Sequence, residues 1–252
     1  MAETFILKAI GLSKTYKMGK INVSAIRNIN LEVEKGDFIA IQGPSGSGKT
    51  TLLNLLGGLD TPTSGEVWIE NVNITRMKER NLSDIRCRRI GFVFQFYNLI
   101  PKMSALSNVE LPMIFAKIPE KLRKEKARKL LETVGLAHRL HHKPSELSAG
   151  EQQRVAIARA LANDPAIVLM DEPTGNLDRE NTKTIVKLIE ELNKAQKQTF
   201  ILSTHNFTIA KLAHKVSFLH DGRITCNHSV SKATTDTRPY VSPLEGNNAR
   251  EA

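Results

Sequence analysis

The stretch GPSGSGKT, residues 43–50, limits the fold of this chain more than any other. It lies between FIAIQ, an apolar run with strand character, and TTLLNLLGG, which has helical spacing. It fits G-x-x-x-x-G-K-[ST] in the context that pattern requires: strand, loop, helix. Such a loop needs glycine so that backbone N–H groups can turn inward around phosphate oxygens, and the following helix offers the positive end of its dipole. Within Gly43, Pro44, Ser45, Gly46, Ser47, Gly48, Lys49, Thr50 and Thr51, Lys49 supplies a point charge for the β- and γ-phosphates. Thr50 supplies a hydroxyl for Mg²⁺. The flanks favour nucleotide binding over a flexible Gly/Ser turn.

The rest of the pattern is consistent with an α/β chain. FILKAIGLS, INLEVE, DFIAIQ and EVWIE are short or period-two apolar runs, so the opening reads largely as sheet. After IGFVFQ (90–95) the spacing becomes helical to about residue 162. AIVLMDE (166–172) and TFILSTH (199–205) flank a helix with Ile185, Leu188, Ile189 and Leu192 on one face, and strand, helix, strand implies a parallel pair. VSFLHDGRI has an Asp-Gly turn between apolar stretches and reads as a hairpin. From about His228 the chain turns polar and aperiodic, as a mobile tail would.

Two adjacent carboxylates end the strand AIVLMDE. Period two sends them to opposite faces, so that Asp171 holds the magnesium shell while Glu172 faces a water in line with the γ-phosphate as general base. His205 ends the neighbouring strand, where it can meet the same phosphate. Gln95 ends IGFVFQ with an amide able to bridge metal, water and a moving neighbour.

LSAGEQQR (147–154) opens the helical VAIARALA with almost no bulk at Ala149 and Gly150. A Ser N-cap explains the start but not that missing bulk. The order phosphate loop, Gln95, LSAGEQQR, Asp171–Glu172 and His205 resembles the ATP-binding-cassette ATPases, whose signature is usually LSGGQ. The resemblance covers about residues 4–226. It implies an α/β fold: a P-loop NTPase core with a mostly parallel sheet, an N-terminal antiparallel β subdomain and an inserted α-helical subdomain at about 96–162, in a domain of residues 4–227. By the same resemblance Tyr16 in LSKTY matches the adenine-stacking aromatic, Gln95 the hinge glutamine, GNLD (175–178) the dimer-contact loop and His205 the switch histidine. Two chains would pair head to tail, with Ser148, Ala149, Gly150 and Glu151 capping the partner's ATP, and with Thr50, Gln95 and Asp171 serving the metal. Ala149, Glu151 and Asn206 depart from the usual glycine, glutamine and aspartate. Glu151 is expected to turn away from phosphate towards the partner nucleotide's ribose.

GGLDTPTSGEV, FYNLIPKMSALSNVELPM and LMDEPTGNLD resemble the ATPase subunits of lipoprotein-releasing, macrolide-efflux and antimicrobial-peptide exporters. That likeness implies a separate integral membrane permease, docking on the apolar, proline-punctuated Phe96–Pro112 with Leu99 and Leu111 among the contacts. It places the chain at the cytoplasmic face of the cell membrane. A cell-division type of cassette shares GNLD and docks without transport. A soluble cassette acting on nucleic acid is disfavoured, because no long coiled coil fits between Thr50 and Leu147 and the chain carries a single cassette.

Composition agrees. With 252 residues, 40% apolar and 25% charged, the chain can bury a sizeable core. No apolar run reaches the ~18 residues of a membrane span, and MAETFILKAIGLS lacks the marks of a signal peptide. Cys87 and Cys226 lack disulfide or zinc spacing. The formal charge of +10 is concentrated in 78–89 and 117–129. In the second run Ala127, Leu130, Leu131 and Val134 form a buried stripe that leaves the basic residues as a solvated face.

Overall fold

The computed structural model describes residues 5–229. β1 (Phe5–Met18) and β2 (Ile21–Glu34) are long antiparallel neighbours, and β3 (Phe38–Gln42) leads through the phosphate-loop motif into α1 (Lys49–Leu56). β4 (Ser64–Ile69) and β5 (Val72–Asn73) return to the first pair, giving an antiparallel sheet in the order β2-β1-β4-β5. α2 (Glu79–Arg89) and β6 (Ile90–Val93) follow. Then come α3 (Ala105–Phe115), α4 (Glu120–Thr133), two 3-10 turns (Ala137–Arg139 and Pro144–Glu146) and α5 (Ala149–Ala160). β7 (Ile167–Asp171), α6 (Arg179–Gln196), β8 (Thr199–Thr204), α7 (Phe207–Ala210), β9 (Lys215–His220) and β10 (Arg223–Ser229) complete the described chain.

The second sheet runs β10-β9-β3-β8-β7-β6, parallel except for the β9–β10 hairpin. Its central strands are buried throughout: every residue of β3 and β8, and all of β7 but Asp171. Such continuous apolar runs are what a parallel sheet covered on both faces requires. Period two sorts the side chains. Ile39 and Ile41 of β3 meet Leu52 and Leu56 of α1 beneath the antiparallel sheet, whereas Phe38 and Ala40 join the core built by α3 to α6. Because β3, β8, β7 and β6 are parallel and adjacent, their C-terminal ends share one edge, where α/β folds bind ligands.

The stripe on α4 is as the spacing implies. Ala127, Leu131 and Val134 are buried and Leu130 packs partly against them, while Lys124 and Lys129 pair with Glu120 and Glu125 on the outer face. α2 corrects the expectation of sheet in the opening. Its charged sequence buries no residue fully, so it carries almost no helical period, and only Leu82 and Ile85 lean on the core. Of the tail expected from His228, residues 228 and 229 belong to β10, and 230–252 lie outside the described residues. Among the described residues no helix is long and apolar enough to cross a membrane.

Candidate active site

Pro44, Ser45 and Gly46 form the exposed crest of the phosphate loop and Gly43 and Ser47 its buried foot. Gly48 has φ +104, and a Cβ there would lie 2.6 Å from the Ala25 carbonyl oxygen of β2, so only glycine fits. The β9–β10 turn supports the loop from behind, with the Gly222 N–H donating to Ser47 O at 3.2 Å. Lys49 Nζ donates to Gly43 O at 2.9 Å and Pro44 O at 3.0 Å. The Ser47 hydroxyl is buried with no partner among the described residues. An ammonium, a helix start and an orphan hydroxyl in one small loop suit an anion with many acceptor oxygens.

The two carboxylates differ from the expectation. Glu172 has φ +44, past the last residue of β7, so the alternation of the strand no longer applies to it. Both carboxylates come round to the phosphate loop. Thr50 Oγ1 donates to Asp171 Oδ2 at 2.9 Å, and Glu172 Oε1 lies 3.8 Å from Lys49 Nζ. The strained backbone costs about 1 kcal/mol or more, and Ser203 holds it. Its hydroxyl donates to Asp171 Oδ1 at 2.6 Å, and its Oγ and carbonyl accept the Glu172 N–H at 3.1 and 3.2 Å. His205 Nδ1 lies 3.0 Å from Glu172 Oε2, with the imidazole 70% exposed towards the open edge. Ser203 was missed in the sequence; the signal was a serine inside the buried run FILST.

Thr50 Oγ1 and the Asp171 carboxylate make an all-oxygen pair at the mouth of the loop. That donor set fits Mg²⁺, which takes one or two carboxylates together with water and substrate phosphates. Among the described residues no three His, Cys, Asp or Glu gather as a metal cage. The Gln95 amide is directed at the GNLD loop: Nε2 lies 3.5 Å from Asn176 Oδ1, and Asn176 Nδ2 donates to Gln95 O at 3.0 Å. Tyr16 is 37% exposed, donates from its phenol to Asp60 Oδ2 at 2.7 Å and carries Lys14 Nζ 4.8 Å from its ring centre. Burial, then the Asp60 carboxylate, push its phenol up from the ordinary range, and Thr51 lies within hydrogen-bonding reach.

At LSAGEQQR the structure corrects two expectations. Ser148 and Ala149 are exposed but Gly150 is buried, and a Cβ on Gly150 would stand 2.0 Å from Asn181 Oδ1. The missing bulk at 150 therefore makes room for α6 of the same chain. Glu151 turns back rather than outward to a ribose. Its Oε2 accepts the Ser148 N–H at 2.8 Å while the Glu151 N–H donates to Ser148 Oγ at 3.3 Å, a capping box. Its Oε1 accepts from Arg139 Nε at 3.0 Å. The Ser148 N–H, then the Ser148 hydroxyl and Arg139, hold the carboxyl below the usual glutamate range against a burial penalty.

Beyond Gln95 the chain is anchored by two residues that pattern reading missed. Asn108 is fully buried, accepts the Ile100 N–H at 2.8 Å and donates to the carbonyls of Ile100, Met103 and Ser104. Arg159 donates to Asn98 O at 2.5 Å and Tyr97 O at 2.7 Å. Phe96 is 72% exposed and Phe115 69%, whereas Leu99 packs on the core. A groove of about 1030 Å³ opens between α2 and α3, with Leu111, Pro112 and Phe115 on one wall and Arg80 and Asp84 on the other.

This geometry has relatives. An uncharacterised ABC transporter ATP-binding protein of Thermotoga maritima is 50% identical over 219 residues, 87% of this chain and 93% of that protein. The lipoprotein-releasing system ATP-binding protein LolD of Saccharophagus degradans is 48% identical over 220 residues, 87% of this chain and 96% of that protein. The ATP-binding cassette MJ0796 of Methanocaldococcus jannaschii, in a dimeric post-hydrolysis state bound to ADP and Pi, matches with a TM-score of 0.83 at 42% identity over 89% of this chain and 99% of that one. The sequence profile of the ABC transporter family covers residues 26–175, and with loop, paired acids and capped helix in place the chain belongs to that family.

Proposed function

We propose that this chain is the ATP-hydrolysing subunit of a membrane export complex, pairing head to tail with a second copy when ATP binds. The observation that carries the reading is the match of two consecutive residues to two consecutive acids: Lys49 faces Glu172, and Thr50 bonds Asp171. The loop's N–H groups and Lys49 hold the β- and γ-phosphates. Thr50 and Asp171 would hold Mg²⁺, and the ion would neutralise charge building on the phosphate oxygens, with the Gln95 amide directed at Asn176. Glu172 accepts the proton of the attacking water, and His205, on its Oε2, orients it. Tyr16 stacks on adenine beside Thr51. Ser148 and Ala149 of the second copy, at the exposed start of α5, present a positive helix end to the γ-phosphate.

The groove between α2 and α3 takes a segment of the permease at the cytoplasmic membrane face. Its apolar wall at Leu111, Pro112 and Phe115 extends the Phe96–Pro112 surface, and its charged wall lies on α2. Leu99, partly buried against the core, does not line the groove itself. The test uses the Glu172→Gln chain, which should shift from monomer to dimer on size-exclusion chromatography only when ATP is added. Leu111→Glu in the wild-type chain should lose copurification with an integral membrane protein while its unfolding temperature holds. A Glu172→Gln chain that stays monomeric with ATP refutes the pairing, and retained copurification by Leu111→Glu refutes the groove.

A further inference from the structure

A negative side chain sits in the first turn of α5, the helix start that is to meet a triphosphate. Glu151 is only 15% exposed, and both its oxygens are engaged, one by the Ser148 N–H and one by Arg139. Arg139 ends a 3-10 turn whose backbone is fixed, since its N–H donates to Leu136 O at 3.0 Å and its carbonyl accepts the His142 N–H at 3.1 Å. On the far side of the guanidinium, Nη1 lies 3.0 Å from His142 Nε2. A guanidinium has only donors, so that ring nitrogen accepts. Arg139 is thus held from its backbone and from His142 while it grips Glu151. Arg154, three residues along α5, feels the charge of Glu151 only through space.

A carboxylate at a helix start favours the dipole it caps, yet it opposes a second anion arriving at the same end. The capping box satisfies the Ser148 N–H and leaves the charge; an ion pair is needed to cancel the charge. We infer that Arg139 is a positioning residue for the paired nucleotide site: it neutralises Glu151 and holds the carboxylate against the Ser148 N–H. The exposed helix start at Ser148 and Ala149 then faces the γ-phosphate of the second copy's ATP without a competing anion. The inference rests on the head-to-tail reading of the proposed function and adds the device that makes a glutamate tolerable there.

The test is a double-mutant cycle on the Glu172→Gln chain, read as the dissociation constant of the ATP-bound dimer by analytical ultracentrifugation. Arg139→Ala should weaken the dimer about tenfold or more, because a like charge is then set against the phosphate. ATP binding to the monomer should not change. Adding Glu151→Gln to Arg139→Ala removes the charge that Arg139 controls, and the dimer should recover to within about threefold of the parent. Arg139→Lys, which keeps the cation without the fork, should fall between. An Arg139→Ala dimer as tight as the parent overturns the inference, and so does a double variant as weak as Arg139→Ala alone, the mark of a merely structural arginine. A parent that stays monomeric with ATP overturns the head-to-tail reading and the inference with it.

Discussion

The two ends of the proposed nucleotide site are built in opposite ways. At the phosphate loop, groups distant in sequence converge because parallel neighbours β3, β7 and β8 end on one edge, and Lys49, Thr50, Asp171, Glu172, Ser203 and His205 satisfy one another across it. At LSAGEQQR the ends of one helix turn satisfy themselves, through a capping box reaching only from Ser148 to Glu151, with Arg139 and Asn181 pressed on from outside. The first arrangement holds carboxylates beside a cation and a hydroxyl that a nucleotide would claim. The second keeps a helix start open while its own charge is tied off. On the proposed reading, chemistry belongs to the first end and recognition to the second.

The largest effect that would test this division is at Glu172. Glu172→Gln should slow ATP turnover about a hundredfold or more while nucleotide binding stays, as expected for loss of a general base. Steady-state turnover beside fluorescent-nucleotide binding checks it. Turnover near the wild-type rate would move the base elsewhere, and the phosphate-loop end would lose its claim to the chemistry.

Gly150 offers the next largest. Gly150→Ala places a Cβ 2.0 Å from Asn181 Oδ1, and Asn181 is restrained because its Nδ2 donates to Asp178 Oδ2 at 2.7 Å. Overpacking of that kind should cost about 1–3 kcal/mol of stability. Asn181→Ala in the same chain should recover part of it, read by urea unfolding. If Gly150→Ala is fully stable yet fails to dimerise, the bareness serves only the second copy, and the helix start is less self-contained than described.

The difference between the two ends also governs what the sequence disclosed. The phosphate loop, the signature and the strand-end acids were legible because each is a short contiguous pattern whose chemistry requires its residue types. The sheet was legible because FIAI, IVLM and FIL are buried on both faces and read as unbroken apolar runs. Contacts between segments were not legible. Nothing in the spacing links Arg139 to Glu151 or Asn181 to Gly150, and the orientation of Glu172 depends on a left-handed φ that its neighbours do not announce. α2 was lost because a helix with no fully buried residue has no period to detect.

Ser203 tests the convergence itself at smaller scale. Ser203→Ala removes the donor to Asp171 and one acceptor of the Glu172 N–H, leaving the carbonyl to hold that N–H alone. Turnover should fall about tenfold, near the value of one charge-assisted hydrogen bond. Dependence on Mg²⁺ concentration should shift upward, since Asp171 loses a partner that orients it. An unchanged Mg²⁺ dependence would show that Thr50 alone sets the position of Asp171.

The smallest effect expected is at Glu151 and depends on pH. Its carboxyl is lowered in the folded chain by the Ser148 N–H first and also by Arg139, so the charged form is the one that folding favours. A lowered carboxyl contributes stability that is fully present above the ordinary glutamate range and is lost as pH falls through the folded value. Glutamine can still accept the Ser148 N–H but then turns an NH2 group towards Arg139, so Glu151→Gln keeps the cap and loses the charge together with the bond from Arg139. At neutral pH the variant should unfold earlier by about 2–4 °C, the shift that ~1 kcal/mol produces in a domain of this size. Acidification below the glutamate range should close the gap, and thermal unfolding of both chains across that range measures it. A gap that persists in acid would mean that shape rather than charge holds Glu151 in place, and the helix start would then need no guanidinium to keep it open to an anion.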